Sequence, residues 1–355
     1  TTDNGDSWSE KITIDPGAQH SGTYGGAEFG CQAMLEGNTL MATARMEGNN
    51  TGAVYFYSTS DNWSTVTLVN KFNGVGQERL GFSAALSGDY AIVRDWHLGC
   101  ISYKKAANGS WSKKQSFNHP GDVNDYNHGG PETNSISING NYALIGANSN
   151  TASTLGGMFR GQAFMYKTEN NGTSWILKQT FILPEADRND WDYFGKEVHL
   201  ATYNNIEYAF ISAENYDYDY TNDIRNTGLV NIYKKDNTGE TWNLITQLMP
   251  TNNEANYNLG KSIDVDGRVL AASGANDIVF YEYIVWEIVT GVDLTVNGTD
   301  ITIDYDDAGS GSIYKIERSD DNGATYTELT NNHSTNSYTD TGLNPGTLYH
   351  YKVHL

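Results

Sequence analysis

The chain repeats one unit about every fifty to sixty residues. Each copy opens with an aromatic residue or Leu before Gly, and continues through two short apolar stretches joined by a Gly-Asn or Gly-Asp turn. A Gly-led stretch that ends in Tyr follows, and a Trp-led stretch completes most copies. Four short strands per repeat are typical of β-propeller blades. The opening pairs are Phe29-Gly30, Leu80-Gly81, Glu132-Thr133, Phe194-Gly195 and Leu259-Gly260, so the third copy departs from the pattern.

The repeats therefore predict an all-β fold with a five-bladed propeller over residues 1–288. Strand A of each four-strand blade is innermost and strand D lies at the rim. The last copy lacks its Trp-led strand, whereas Ser7–Ile14 has the form of one and precedes the first Phe-Gly pair. We expect this N-terminal strand to pair with the last blade and close the ring, which removes the open sheet edges.

The composition excludes some classes of function. A net charge of −21 and a pI of about 4.6 argue against nucleic acid as a partner, because phosphate binding needs clustered Lys and Arg. No apolar run is long enough to cross a bilayer, and any signal peptide is expected to be already removed. Cys31 and Cys100 lie in apolar stretches of different copies, which favours two buried thiols over a disulfide.

The last part of the chain has a different sequence pattern. Apolar alternation runs through Val292–Val296, Ile301–Tyr305 and Tyr314–Arg318, and Leu343–Tyr349 reads Leu-Asn-Pro-Gly-Thr-Leu-Tyr. This pattern resembles a fibronectin type III domain, and the resemblance implies a small, incomplete β-sandwich over residues 289–355. The segment Leu343–Tyr349 resembles the E–F corner of that domain, which implies that the hydroxyl of Tyr349 bonds back to the backbone upstream, as in a tyrosine corner.

These motifs resemble two known families. The Phe-Gly openings and the Gly-Asp-Tyr-Ala-Ile-Val turn at 88–93 resemble FG-GAP repeats, the propeller repeat of integrin α subunits and of many secreted bacterial proteins. The C-terminal segment resembles a fibronectin type III domain. The resemblance implies a secreted or cell-surface protein of the Bacteroidetes kind, exported as cargo of a type IX system. Unlike integrin-type blades, these copies lack a calcium loop with the full ligand set.

The long loops predict the working face. In a propeller of this strand order the D-to-A and B-to-C connections emerge on one face, and these are the long connections here. Aromatic rings beside carboxylates and amides on rigidly held loops suit recognition of a glycan or a protein. The predicted ligand-binding residues are Trp96, Tyr126, His128, Trp191, Tyr193, Tyr216 and Tyr218.

One of these loops alternates Tyr and Asp. In an extended chain Asp217, Asp219 and Asp223 project to one side, and clustered carboxylates favour a hard cation with oxygen ligands. Calcium is the candidate cofactor at these residues. The Gly and the closing Glu of an EF-hand loop are missing.

The segments that begin at Asp3, Asn170 and Ser319 look like the Asp-box turns of sialidases and other propeller hydrolases. Their predicted role is structural, because Asp or Asn with Gly closes a tight hairpin. The chain has no Gly-x-Ser-x-Gly elbow, no His-Glu-x-x-His motif and no phosphate-binding Gly loop. We therefore predict no catalytic residues. Paired carboxylates are abundant, so a glycosidase pair stays open.

Three functional hypotheses follow. The first is a non-enzymatic extracellular binding or adhesion protein whose propeller face binds glycan or protein. The second is a secreted carbohydrate-active, glycosidase-like enzyme that uses carboxylates on the same face. The third is a structural module of a larger cell-surface or secretion assembly, whose partners are other chains or further domains.

Overall fold

The computed structural model describes residues 9–17, 26–76, 79–95, 99–117, 135–148, 159–184, 189–203, 205–219, 224–236, 239–250, 254–267, 269–275, 277–282, 291–306, 312–321, 323 and 325–355. Within these residues the fold is all-β, with seven antiparallel sheets of three or four strands. The chain divides into two compact units, Thr1–Tyr281 and Glu282–Leu355. Within the described residues, no helix is long and apolar enough to span a membrane.

Five sheets make up the first unit, and each runs in chain order from strand to neighbouring strand. Sheet 1 comprises β1 (Phe29–Glu36), β2 (Thr39–Ala44), β3 (Ala53–Ser58) and β4 (Thr67–Asn73), with a short turn α1 (Glu47–Asn50) before β3. Sheet 2 comprises β5 (Ser83–Ser87), β6 (Tyr90–Arg94), β7 (Cys100–Lys105) and β8 (Trp111–Phe117). Sheet 3 comprises β9 (Ile136–Asn139), β10 (Tyr142–Ala147), β11 (Gln162–Lys167) and β12 (Ile176–Phe181).

Two more sheets complete this unit. Sheet 4 comprises β13 (Phe194–Tyr203), β14 (Ile206–Ala213), β15 (Leu229–Lys235) and β16 (Trp242–Leu248). Sheet 5 has three described strands, β17 (Ile263–Asp266), β18 (Val269–Ser273) and β19 (Ile278–Glu282). Neighbouring sheets touch in chain order through their first strands.

Burial follows the position of a strand within its sheet. The second and third strands of sheets 1 to 4 are apolar and almost wholly buried, because both of their faces pack against neighbouring sheets. The fourth strands are largely exposed, and their sequences are correspondingly polar. The core is therefore a set of layers between consecutive sheets, such as the cluster of Leu144, Met165, Phe194, Ile211 and Leu229 between sheets 3 and 4.

Glycine permits a close approach between consecutive sheets. Gly52, Gly161 and Gly228 stand directly before the third strands of their sheets and have φ of 74°, 78° and 81°. Each forms a parallel bridge to the residue that opens the next sheet, respectively Leu80, Phe194 and Leu259. A Cβ at any of these glycines would fall on backbone atoms of that partner, far inside van der Waals contact. In these three copies the aromatic-or-Leu opening is therefore a fully buried side chain whose backbone lies against a glycine of the preceding sheet.

Side-chain amides tie the outer strands of neighbouring sheets. The carboxamide of Gln115 accepts from the backbone N–H of Trp175 at 2.6 Å and donates to its carbonyl at 3.3 Å. Gln179 makes the same pair of bonds to Trp242, at 2.8 and 2.9 Å. Trp175 and Trp242 are thus buried at the seams between sheets.

The Asp-box turns have the predicted structural role where they are described. In the turn at Asn170, the side-chain oxygen accepts from Ser174 N–H at 2.8 Å, while the Thr168 hydroxyl accepts from Gly172 N–H at 2.8 Å. Asp321 accepts from Thr325 N–H at 2.8 Å in the same way. The turn at Asp3 lies outside the described residues.

The expected N-terminal strand is not seen in the described residues. Residues 9–17 are not in a strand, and Ile14 packs, as Phe29 and Leu40 do, against the buried cluster of Ala44, Ala53, Tyr55 and Tyr57 in sheet 1. Trp8 lies outside the described residues. The outer strand of sheet 5, β19, exposes 61% of Ile278 and 69% of Phe280. Closure of the ring therefore stays a prediction.

The second unit contains two three-stranded sheets. One is ordered β20 (Asp293–Asn297), β21 (Asp300–Asp304), β24 (Ser337–Asp340), and the other β23 (Thr327–His333), β22 (Tyr314–Ser319), β25 (His350–His354). Ile303, Tyr305, Tyr314, Ile316 and Val353 form their shared core. The hydroxyl of Tyr349 accepts from the backbone N–H of Asn344 at 3.0 Å, which confirms the backbone contact expected from this segment.

Replacing Gly161 by Ala tests the close approach between sheets 3 and 4. We expect a loss of more than about 3 kcal/mol in the free energy of unfolding, because a clash with the Phe194 backbone adds to the backbone strain. The control is Gly140→Ala in a hairpin turn, where φ is 55° and no atom lies within 4 Å of the added Cβ. That change carries only the strain of a left-handed residue, about 1 kcal/mol. Urea unfolding compares the two, and equal losses would show that the contact is unimportant.

Candidate functional site

The candidate site lies at the end of sheet 4, where β13 begins and β14 ends. Trp191, Asp192 and Tyr193 lead into β13, and Glu214 to Asp217 leave β14. The backbone N–H of Asn215 donates to the carbonyl of Asp192 at 3.4 Å, which joins the two segments. Three of the predicted ligand-binding residues, Trp191, Tyr193 and Tyr216, therefore lie in segments that the fold brings together.

Three aromatic residues form a cluster here. The ring of Phe159 lies 4.6 Å from that of Trp191 and 5.8 Å from that of Tyr193 between centroids. Phe159 is buried, whereas Trp191 is 46% exposed. The cluster therefore presents one indole to solvent on a packed aromatic base.

The backbone under this cluster is unusual for aromatic residues. Phe159, Trp191 and Tyr193 have φ of 53°, 75° and 56°, in the left-handed region. Left-handed residues occur at the corresponding positions of other repeats, which carry Asn50, Asn226, Asn256, Asn258, Glu28 and Arg79. Asn adopts this conformation readily, whereas a bulky side chain costs about 1 to 2 kcal/mol. With aromatic residues at all three positions, this repeat carries more backbone strain than the repeats that have Asn there.

Asp192 is fully buried between the two aromatic residues in sequence. Its Oδ2 accepts from the backbone N–H of Asn189 at 2.5 Å, and its Oδ1 has no hydrogen-bond partner among the described residues. Burial raises the pKa of Asp192 to about 8, against the opposing effect of the Asn189 N–H, and the nearby charge of Asp217 adds to the rise. The side chain is therefore largely a neutral carboxylic acid at pH 7.

Charged side chains adjoin this cluster. The Nζ of Lys196 lies 3.1 Å from Oε1 of Glu214, and the two side chains are only 15% and 13% exposed. Burial raises the pKa of Glu197; the Ser135 hydroxyl and Lys196 lower it, and Glu214 raises it further. The site thus combines a half-buried ion pair with a second carboxyl group whose pKa is displaced upward.

This arrangement suits acid–base chemistry. A carboxyl group with a raised pKa can exchange a proton near neutral pH, and a cation held beside a carboxylate can stabilise negative charge on a reacting oxygen. Burial also raises the pKa of Tyr193 and lowers that of His199 on β13, so several groups around this strand titrate abnormally. Perturbed pKa values of this kind concentrate at functional sites.

The other predicted ligand-binding residues do not share one environment. Tyr216 is partly buried against the core between sheets 3 and 4, and Tyr218 is 45% exposed. Trp96, Tyr126, His128 and Asp223 lie outside the described residues.

The predicted calcium ligands do not form a described metal site. Oδ1 of Asp217 accepts from the backbone N–H of Asn226 at 2.8 Å, and the backbone of Asp219 pairs with Ile224. Among the residues that the structure describes, no group of three or more His, Cys, Asp or Glu side chains is placed to hold a metal ion. Calcium therefore stays a prediction that depends on Asp223.

Sequence reasoning missed the charged residues of the site. The predicted ligand-binding and metal-binding residues include none of Asp192, Lys196, Glu197 and Glu214. The available signal was local: charged residues surround the Phe194-Gly195 pair, at the start of a half-buried strand.

Neither a protein-family model nor a curated protein sequence matches the chain. Among solved structures it is similar to the periplasmic gluconolactonase of Pseudomonas aeruginosa, at 13% identity over 86% of both chains with a TM-score of 0.45. It is also similar to a proposed 6-phosphogluconolactonase of Bacteroides uniformis, at 12% identity over 86% of this chain and 85% of that one with a TM-score of 0.47. A further proposed 6-phosphogluconolactonase, of Bacteroides fragilis, matches at 12% identity over the same shares with a TM-score of 0.45.

These comparisons correct the sequence-based identification. The prediction of an FG-GAP propeller followed by a fibronectin type III domain is wrong, since the similar structures are lactonases and no family model matches. The predictions of a non-enzymatic adhesion protein and of no enzymatic activity are contradicted by the same structures. The Phe-Gly and Gly-Asp signals misled because they arise from the packing of short strands and tight turns, which many sheet proteins share.

The pKa of Asp192 predicts how stability depends on pH. The folded state keeps a proton to about pH 8 that the unfolded state releases near pH 4, so the free energy of unfolding falls as pH rises through this window. The slope from this group reaches about 1.4 kcal/mol per pH unit. Asp192→Asn removes this contribution. Chemical unfolding from pH 4 to 9 should show that the free energy of unfolding of the variant increases relative to that of the parent protein as pH rises.

The matched control for that measurement is Asp266→Asn, which removes an exposed carboxylate of sheet 5. Its curve should run parallel to that of the parent protein. A parallel curve for Asp192→Asn as well would contradict the raised pKa.

Proposed function

We propose that this chain is an enzyme that hydrolyses a carbohydrate-derived ester, with a sugar lactone as the substrate class to test first. The observation that carries this proposal is the half-buried ion pair of Lys196 and Glu214, whose charges act on Glu197 and, for Glu214, on Tyr193 of the aromatic cluster. The exposed indole of Trp191 in that cluster is a suitable surface for the apolar face of a sugar ring, and the charged groups near Tyr193 supply polar chemistry.

Hydrolysis of a lactone needs two kinds of group. Water attacks the carbonyl carbon and must lose a proton, while negative charge develops on the carbonyl oxygen. Glu197 can take the proton from water, and the ammonium group of Lys196 can stabilise the oxyanion. When the acyl–oxygen bond breaks, the proton passes from Glu197 to the departing ring oxygen, which leaves the hydroxy acid as product.

Glu214 and the aromatic residues have supporting roles in this proposal. Glu214 holds the Lys196 ammonium group at 3.1 Å, where both side chains are largely buried. Trp191 and Tyr193, which the sequence analysis predicts to bind ligand, contact the sugar ring. The raised pKa of Glu197, caused chiefly by burial, suits a group that gains and loses a proton within one cycle.

The cation distinguishes this reaction from glycoside hydrolysis. A glycosidase needs two carboxyl groups across the scissile bond and no cation at a carbonyl oxygen. Lys196 between Glu214 and Glu197 therefore favours an ester over an acetal. A glycosidase-like activity is the second candidate, since two carboxyl groups are present in the same cluster.

We also infer that the five sheets of the first unit are the blades of a propeller, with the N-terminal segment completing sheet 5. Neighbouring sheets pack in chain order through their first strands, and four of the five sheets have four strands. The exposed apolar side chains of β19, Ile278 and Phe280, support a missing outer strand on sheet 5. A secreted or cell-surface location belongs to the same proposal, and fractionation of the source cells tests it.

Lys196→Met tests the proposed chemistry with D-glucono-1,5-lactone as the probe. We expect kcat/KM to fall about 100-fold, because the charge that stabilises the oxyanion is lost. The matched control is Lys178→Met, which breaks the Lys178–Glu169 ion pair on β12 and should leave the activity unchanged. Spontaneous hydrolysis is subtracted, and thermal unfolding confirms that both variants fold. Full activity in folded Lys196→Met would reject the assigned role, and activity against glycosides alone would favour the second candidate.

Deleting residues 1–14 tests completion of sheet 5. The truncated protein should melt at a lower temperature, because the edge of β19 loses its partner strand. A synthetic peptide of residues 7–14 added to the truncated protein should restore part of that loss by mass action. The control peptide carries Ala in place of Trp8 and should restore less. Unchanged stability after truncation would mean that another segment covers β19, or that none does.

A further inference from the structure

One side chain of the candidate site takes no part in the proposed chemistry, although it is the most buried carboxyl group there. Asp192 is fully buried, at the junction of three segments that carry the site. We propose that Asp192 is a positioning residue that holds these segments together in its neutral form, and that its ionisation releases Trp191 and Tyr193. As a role in catalysis this rests on the proposed function, whereas the conformational change can be measured without substrate.

The contacts of residue 192 place it at this junction. Its Oδ2 closes its own loop by accepting from Asn189 N–H at 2.5 Å, and its carbonyl accepts from Asn215 N–H at 3.4 Å in the segment that leaves β14. The next residue, Tyr193, donates its N–H to the carbonyl of Phe159 at 3.0 Å. The backbone on either side of the carboxyl group is thus bonded to both neighbouring segments.

The groups that face Asp192 act in opposite directions on its pKa. The charge of Asp217, on the segment that follows β14, raises the pKa, whereas the backbone N–H of Asp217 and the charge of Arg160, which precedes β11, lower it. The Nε of Arg160 is bonded to Oδ1 of Asp190 at 2.9 Å, so much of its charge is already balanced. A negative charge on Asp192 would therefore lie beside that of Asp217, in a site that water does not reach.

The surroundings of Asp192 mean that a negative charge on it would favour opening of the segment. Oδ1 of Asp192 has no hydrogen-bond partner within the described part of the chain. An ionised carboxylate would therefore bury negative charge on an oxygen that accepts no hydrogen bond. Opening the segment lets water reach it. The same movement relaxes the left-handed backbone of Trp191 and Tyr193, at φ of 75° and 56°. Ionisation and backbone relaxation thus favour the same open form.

Hydrogen exchange measured by mass spectrometry tests the movement directly. We expect the segments 189–194 and 213–219 of the parent protein to lose at least tenfold in protection between pH 6 and pH 9, after correction for the intrinsic exchange rate. Asp192→Asn, which stays neutral, should keep its protection at pH 9. Asp266→Asn in sheet 5 is the charge-matched control and should behave as the parent protein. Constant protection in the parent protein, or equal loss in Asp192→Asn, would overturn the proposal.

A second variant guards against a folding defect in the first. Asp217→Asn removes the charge that raises the pKa of Asp192, so the loss of protection should begin at lower pH than in the parent protein. An unchanged midpoint would contradict the assigned charge coupling.

The activity measurement separates a positioning role from a purely structural one. With D-glucono-1,5-lactone, kcat/KM of the parent protein should fall above about pH 8, and Asp192→Asn should keep its activity there. Asp192→Ala should lose activity at every pH, because the Asn189 contact is lost. The same alkaline decline in folded Asp192→Asn would reject the positioning role. If no variant hydrolyses the lactone, the proposed function fails, and the exchange experiment alone decides whether Asp192 controls the segments.

Discussion

Contact between a glycine and the backbone of the next sheet is the constraint on which the first unit depends. At Gly52, Gly161 and Gly228 the chain approaches the following sheet so closely that no side chain can stand between them. This approach buries the opening residues Leu80, Phe194 and Leu259 completely. Apolar layers then form between consecutive sheets, because the second and third strands are covered on both faces. The hydrophobic effect supplies the stabilisation, but the glycines set the spacing at which it acts.

The same contact explains why a site forms beside sheet 4. The segment before Gly161 and the segment before Phe194 must come together wherever the glycine bridge forms, so the residues just upstream of both lie side by side. In other repeats these upstream positions carry Asn, Glu or Arg in left-handed conformation. Here they carry Phe159, Trp191 and Tyr193, and the bridge geometry gathers three aromatic rings.

Burial then changes the chemistry of the charged residues in this region. A carboxyl group in an exposed loop is ionised at neutral pH, but the one at Asp192 is fully enclosed and its pKa rises to about 8. Glu197 is affected in the same direction by burial on β13. Lys196 and Glu214 compensate one another as a half-buried pair. The function proposed for this region rests on these environments, since the residue types themselves occur throughout an acidic chain.

The sequence by itself determined the fold class of this protein and its local pattern of strands and turns. Short apolar stretches, Gly turns and repeated Trp residues are readable because strand alternation and turn chemistry depend on neighbouring residues. They predicted an all-β fold, the strands of five repeated sheets, the hairpin role of the Asn170 and Asp321 turns, and the backbone contact of Tyr349. The same local signals could not identify a family, because unrelated proteins that pack short strands need the same glycines and aromatic residues.

Only the tertiary structure decided which charged residues share a site. Asp192 and Asp217 are 25 positions apart by their numbers, and Phe159 lies 33 positions before Asp192, so no spacing in the sequence relates them. Their proximity follows from pairing between β13 and β14 and from the bridge at Gly161. Whether a carboxyl group is ionised depends on its burial and on the charges that face it, and both are set by residues distant in the chain. Trp191 and Tyr193 can be named as binding candidates from the sequence because loop composition is local, whereas the burial of the acid between them cannot be read from it.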